Sequence, residues 1–144
     1  MYVCPTLGLQ FQVIIVVQDI LDTDRFWNEE LLHANDGTRL FSASFIKLDT
    51  ERSGNIMPIV KGLFGGHSYS ILRVKEYRGK RFIVLRNPWG HFEWSGPWSD
   101  GSKEWTSEWF DLLDELDHVL GDDGEFVMEC EFNFVRVSRS SHGL

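Results

Sequence analysis

Cysteine is scarce in this chain, with only Cys4 and Cys130 in 144 residues. Two thiols cannot staple a disulfide scaffold, so free thiols and a reducing compartment are expected. Basic charge is also short. Fourteen Lys and Arg stand against 22 Asp and Glu, a formal net charge of -8. That argues against a nucleic-acid partner, which asks for a basic face. No apolar run approaches the roughly 20 residues that a membrane-crossing helix needs. The first residues lack the basic flank of a signal peptide, and Gln10 and Gln12 interrupt their apolar stretch. These shortages together lead to the expectation of an intracellular, cytoplasmic protein without a membrane span.

What is present is a globular composition, 42% hydrophobic and 14% aromatic, in a length that suits one domain with a real core. Residues 11–17 (FQVIIVV) read as a buried strand. Asp22, Thr23 and Asp24 offer caps to a helix over 25–33, whose Phe26, Trp27, Leu31 and Leu32 recur at helical spacing. A turn at 34–38 precedes a strand over 40–48 with both faces apolar, and 49–62 is a polar surface loop. Five of the six tryptophans fall between Trp89 and Trp109, a clustering that signals packing; a sugar-binding platform is the functional alternative. Trp105, Trp109, Leu112, Leu113, Leu116 and Leu120 form one stripe of a helix over 105–120 that Gly121 should end. Strands are expected over 125–130 and 132–137, and the polar residues 138–144 are expected to fray.

The most informative stretch is 65–101. Residues 68–74 and 81–86 are β-branched, aromatic and aliphatic, and Gly79 between them can take the positive φ of a tight turn. A hairpin turning near Arg78 and Gly79 brings His67 and Asn87 to the same end of neighbouring strands. A His beside an Asn is the orienting half of a thiol-protease site. The Asn carbonyl fixes the imidazole tautomer and leaves the other ring nitrogen to take a proton from a cysteine.

The residues themselves carry a resemblance. Gly66-His67-Ser68-Tyr69-Ser70 resembles the histidine motif of the calpain cysteine proteases, and Arg86-Asn87-Pro88-Trp89-Gly90 resembles their asparagine motif. The stretch from Glu93-Trp94-Ser95-Gly96 to Asp100, and Asp123-Gly124-Glu125-Phe126, are similar to the same family. The likeness is specific over about residues 31–128 and covers the second lobe of the calpain core. It implies an α+β fold, a papain-like second lobe with an antiparallel sheet or barrel and one or two packed helices. Residues 1–30 then form a divergent N-terminal segment, 31–137 the lobe and 138–144 a tail.

The resemblance also implies a chemistry. His67 would be base and then acid, Asn87 its orienter, and Trp89 a shield over their hydrogen bond. Asp122-Asp123-Gly124-Glu125 lacks the alternating spacing of an EF-hand and on its own reads as a solvated turn. The calpain likeness instead matches Glu93, Asp100, Asp123, Glu125 and the Gly121 carbonyl to a calcium site, with Ca2+ as the implied cofactor.

The nucleophile is the missing part. The family sets its cysteine in a glycine-rich turn followed by Trp and an apolar helix. Cys4 is followed by Pro5 and Gly8 with no such pattern, and Cys130 sits within an expected strand. The first lobe would also supply the oxyanion donors. These 144 residues are therefore not expected to hydrolyse peptides unaided; a protein or peptide substrate requires a cysteine-bearing lobe. Two other readings stand beside this one, a non-catalytic calcium-binding or interaction module derived from the lobe, and a tryptophan-rich carbohydrate-binding domain.

Overall fold

The structure is a computed structural model that describes residues 10–15, 22–45, 59–64, 67–130 and 135–142. Cys4, most of the 49–62 loop and the ends of the strands expected over 11–17 and 40–48 lie outside the described residues.

The centre is the expected hairpin. Strand β5 (Ser68–Tyr77) and strand β6 (Lys80–Arg86) pair antiparallel, with Tyr77 opposite Lys80 across a two-residue turn. Arg78 and Gly79 have φ of 49° and 77°. Two positive φ values in succession twist the connection in the sense that matches the twist of the strands, which is why glycine serves here. The register shifts once between Ile71 and Arg73, so Leu72 is the extra residue of a bulge.

Around the hairpin the sheet grows to six strands in the order β1-β8-β2-β5-β6-β7. Here β1 is Gln10–Ile15, β2 is Leu40–Phe45, β7 is Glu125–Glu129 and β8 is Val135–His142, all antiparallel. A separate pair, β3 (Ile59–Val60) with β4 (Leu63–Phe64), leads into the histidine. The fold is α+β, as expected, and the sheet is open, with β1 and β7 as its edges rather than a closed barrel.

Strand β6 shows how the core is divided. Ile83 and Leu85 join Phe26, Trp27, Leu31, Phe41, Tyr69 and Phe126 on one face. Phe82 and Val84 join Trp98, Trp105, Leu112, Leu116 and Val127 on the other. Alternate side chains of a strand point to opposite faces, so a strand with four consecutive buried residues must be covered on both sides. One cover is helix α1 (Thr23–Glu29) with the 3-10 turn Leu31–Ala34; the other is the tryptophan loop with helix α2 (Phe110–Glu115). Asp22 caps α1 by accepting the Arg25 N–H at 2.9 Å, as its position in the sequence suggested.

Three local expectations change. Strand β2 is buried on one face only, at Phe41 and Ala43, while Leu40 is 45% exposed. The helix over 105–120 shrinks to the six residues of α2. Trp105 packs on Trp98 at 5.3 Å between ring centroids and donates its Nε1–H to the backbone oxygens of Trp98 and Ser99, contacts that turns can reach and a straight helix cannot. Asp117 at φ 49° ends α2 four residues before Gly121, and the His118 N–H reaches back to the Leu113 oxygen, the six-to-one bond of a helix stop. Finally, β8 runs to His142, through residues expected to fray, because it is held between β1 and β2.

The tryptophans are mainly core. Trp98 lies 4.9 Å from Phe82 and 4.8 Å from Trp109, ring to ring, and both Trp98 and Trp105 are buried. Trp98 and Trp105 are therefore not open to stack on a sugar.

Candidate active site and the adjoining acidic loops

His67 stands just before β5 and Asn87 just after β6, so the hairpin delivers both to one end of the sheet. The imidazole Nε2 lies 2.9 Å from Asn87 Oδ1. Asn87 is fully buried, and every polar atom of its side chain is engaged. Its Nδ2 donates to the Phe92 oxygen at 3.1 Å, and its Oδ1 also accepts the Trp89 N–H at 3.1 Å. A carbonyl on one side and an N–H on the other leave only one orientation of the amide. The oxygen therefore faces His67, Nε2 must carry the proton, and Nδ1 keeps its lone pair in the neutral ring.

Aromatic rings hold the imidazole plane. Trp89 lies over it at 4.3 Å between centroids, and Tyr69 meets it edge-on at 4.9 Å. Tyr69 in turn accepts the Phe64 N–H on its hydroxyl at 2.9 Å. Burial raises the Tyr69 pKa, opposed by that N–H, so the phenol stays neutral and polar at physiological pH. Trp89 and Phe92 are 46% and 51% exposed, and Phe92 packs on Trp89 and Phe64 rather than on His67 itself. Tyr69, Phe64 and Phe92 were not singled out in the sequence. Tyr69 had a signal in its inward register two residues after His67. Phe92 had none, because it acts through its backbone oxygen at a positive φ of 65°.

Cys130 is not near a role as nucleophile. It packs against the core beside β7, and burial pushes its thiol up to about 12 despite the nearby Arg81 charge. A thiol that stays protonated near neutrality neither attacks carbonyls nor exchanges readily. Cys130 is expected to remain unmodified by a disulfide reagent at pH 8 in the native protein and to react within minutes once denaturant is added. Rapid native labelling would contradict the burial described here.

The acidic residues are brought into two facing loops. Glu93 Oε1 accepts the N–H groups of Asp123 and Gly124 at 2.9 and 2.8 Å. Asp100 accepts the Gly121 N–H on Oδ2 at 2.6 Å and lies 3.0 Å from His118 Nε2 through Oδ1. Asp123 caps the Glu125 N–H, and Glu125 pairs with Arg73. The same loop reaches the site, since Asn87 N–H donates to the Gly124 oxygen at 2.9 Å. A Cβ on Gly124 would meet the Gly90 backbone at 2.8 Å, so only glycine allows this approach. Burial raises the Glu93 pKa, the two amide bonds oppose it, and the negative charges of Asp100 and Asp122 add to the rise.

The donors expected for a calcium ion are thus side by side in kind but not in arrangement. Their oxygens are turned onto backbone N–H groups and guanidinium. Among the described residues, no three or more His, Cys, Asp or Glu side chains gather so as to hold a metal. As they stand, these residues do not fit a bound ion.

An open antiparallel α+β domain with a tautomer-fixed histidine at the end of its sheet has the build of a thiol-protease domain. The family follows from comparison with known proteins. The profile described as calpain family cysteine protease matches residues 10–138, and the chain belongs to that family. It is 37% identical over 100 residues to the calpain-type cysteine protease DEK1 of Arabidopsis thaliana, covering 69% of this chain and 4% of that protein. It is 40% identical over 96 residues to Calpain-9 of Rattus norvegicus, covering 64% of this chain and 14% of the relative. Against human Calpain-9 the identity is 46% over 71 residues, covering 46% of this chain and 10% of the relative. The chain spans a small part of the length of each relative. The match over 10–138 also reaches well before the segment where the likeness was read from the sequence. Among the described residues, no helix is long and apolar enough to cross a membrane.

Proposed function

We propose that this chain supplies the His–Asn half of a calpain-type cysteine endopeptidase, completed by a lobe that carries the nucleophilic cysteine and the oxyanion donors. The observation that carries the reading is the 2.9 Å contact between His67 Nε2 and an Asn87 amide locked by its other partners. With Nε2–H engaged, Nδ1 is the base. It takes the thiol proton as sulfur attacks the peptide carbonyl carbon. It then gives that proton to the departing amine, leaving a thioester on the cysteine. Water, deprotonated by the same nitrogen, releases the acid and restores the thiol. Asn87 Oδ1 stabilises the transient imidazolium. Trp89 keeps water from the His67–Asn87 bond on the exposed side.

Substrates in this proposal are peptide bonds of proteins, and the place of action is inside the cell, in the cytoplasm. Calcium control is proposed on donor chemistry alone. Glu93, Asp100, Asp123 and Glu125, with the Gly121 carbonyl, are the oxygen donors a hard cation takes, provided that the loops reopen. Its test is the calcium arm of the exchange experiment below.

The catalytic proposal is tested by complementation. The chain is mixed with a purified cysteine-bearing calpain lobe and assayed on a fluorogenic peptide. Hydrolysis is expected from the mixture and not from this chain alone. His67→Ala is expected to lower it by about 10³-fold or more, the scale of losing a general base that also activates the nucleophile. Binding of the two lobes without turnover would favour a non-catalytic interaction module, and turnover unaffected by His67→Ala would overturn the assignment.

A further inference from the structure

We infer that Arg73 is the resident cation of the acidic loop pair, ordering it without a metal ion. Arg73 follows the bulge at Leu72 on β5, on the same strand that begins beside His67. Its Nε donates to the Leu116 oxygen at 2.6 Å, and its Nη2 donates to Glu125 Oε2 at 3.1 Å. Leu116 caps the end of α2 and Glu125 begins β7. One guanidinium therefore fastens both ends of the 117–124 connection.

The chemistry suits the task. The last carbonyls of a helix lack partners within it, and a cation placed there satisfies them and meets the negative end of the helix. The planar guanidinium presents several donors in a fixed fork, which a lysine ammonium cannot reproduce over two separated acceptors. Both side chains of the Arg73–Glu125 pair are largely sheltered, at 28% and 22% exposure. A second guanidinium, Arg86, lies 3.9 Å from the other Glu125 oxygen. Glu125 is thus flanked by two positive charges, an environment hostile to a third cation. Glu93, Asp100 and Asp123 are occupied by the N–H groups of Gly121, Asp123, Gly124 and Glu125 and by His118.

The consequence concerns order and competition. The connection that bears Gly124, whose oxygen accepts the Asn87 N–H, is held by an internal charge. A divalent ion seeking Glu125 must displace Arg73. The inference rests on these contacts and stands apart from the calcium proposal.

The experiment is amide hydrogen exchange of the full chain, read by mass spectrometry in chelator and again in millimolar calcium. Arg73→Met keeps the length of the side chain and removes its donors. In chelator it is expected to speed exchange over 117–125 by about tenfold or more, the scale of a lost charge-assisted bond, while β6 amides keep their rates. Arg73→Lys is expected to fall between the two. Unchanged exchange in Arg73→Met, or acceleration spread equally over β6, would overturn the inference. Local opening that calcium reverses, at lower concentration than any calcium response of the wild type, supports both the inference and the calcium proposal. Local opening that calcium leaves untouched supports Arg73 and removes calcium. Should Arg73→Met fail to fold, Glu125→Gln removes the charge from the other side of the pair, and the same local opening in chelator is expected. Its absence would be equally fatal.

Discussion

Asn87→Ala is expected to melt about 9 °C below the wild type and, in the complemented protease, to lose activity by about a hundredfold or more. The stability loss comes from what the substitution leaves behind. The Phe92 oxygen, the Trp89 N–H and the His67 Nε2–H all lose their partner at once. Buried groups without partners cost about 1–3 kcal/mol each, and water entering the space left by the amide would recover some of it, so a total of about 3 kcal/mol is reasonable. At about 3 °C per kcal/mol for a domain of this size, that gives the shift stated. The activity loss has another origin. Without the Oδ1 acceptor, the imidazole is free to carry its proton on Nδ1, the nitrogen that must be the base. Asn87→Asp separates the two effects. It keeps an acceptor for His67 but sets a carboxylate oxygen against the Phe92 oxygen, so it should lose stability while retaining more activity than Asn87→Ala. Thermal melts by circular dichroism and complementation assays on the three proteins decide the matter. Equal melting points for Asn87→Ala and wild type would show that the amide is not held as described.

Trp98→Ala should be the most damaging single change in the tryptophan loop, at about 3–5 kcal/mol, the range for removing a large aromatic from a core. Trp98 meets Phe82, Trp105 and Trp109 edge-on at 4.8–5.3 Å, and its Nε1–H reaches Glu129. Its loss opens the layer that covers one face of β6. A urea titration followed by the remaining tryptophans is expected to show the midpoint falling with little change in slope. By contrast, Trp89→Ala is expected to leave the midpoint nearly unchanged, since that ring is half exposed and packs on the site rather than the core. Similar losses for both would mean that Trp89 is structural, which would weaken its reading as a shield.

The hairpin and its His–Asn ends were legible in the sequence because they are local. A glycine that can take positive φ sets the turn, the turn sets the register, and the register places His67 and Asn87 together. The N-terminal cap at Asp22 was legible for the same reason. The parts that escaped depend on distant partners. The apolar stripe over 105–120 has helical spacing, but Trp105 is bonded to backbone atoms six and seven residues earlier, and Asp117 turns the chain left-handed. The polar end of β8, expected to fray, is a strand only because β1 and β2 lie on either side. The calpain likeness assigned the acidic residues to one calcium site, and the structure shows Glu93 and Asp100 bonded to backbone N–H groups of the 121–124 loop. What each carboxylate binds was not legible, since Glu93 meets amides 30 and 31 residues on, and Arg73 reaches Glu125 across 52 residues of sequence.

The order of strands bears on how the molecule assembles. The β5–β6 hairpin closes over two residues, and hairpins of this kind form within microseconds. The β1–β8 ladder instead joins Gln10 to His142, the pair farthest apart in sequence in the sheet, and carries the largest entropy of loop closure. The histidine and its amide partner therefore belong to the earliest-closing part of the sheet, while the rim at β1 is the last to zip and the first to peel. A chain that loses β1 should keep its His67–Asn87 pair, so unfolding followed at Trp89 and unfolding followed at the β1 edge need not coincide.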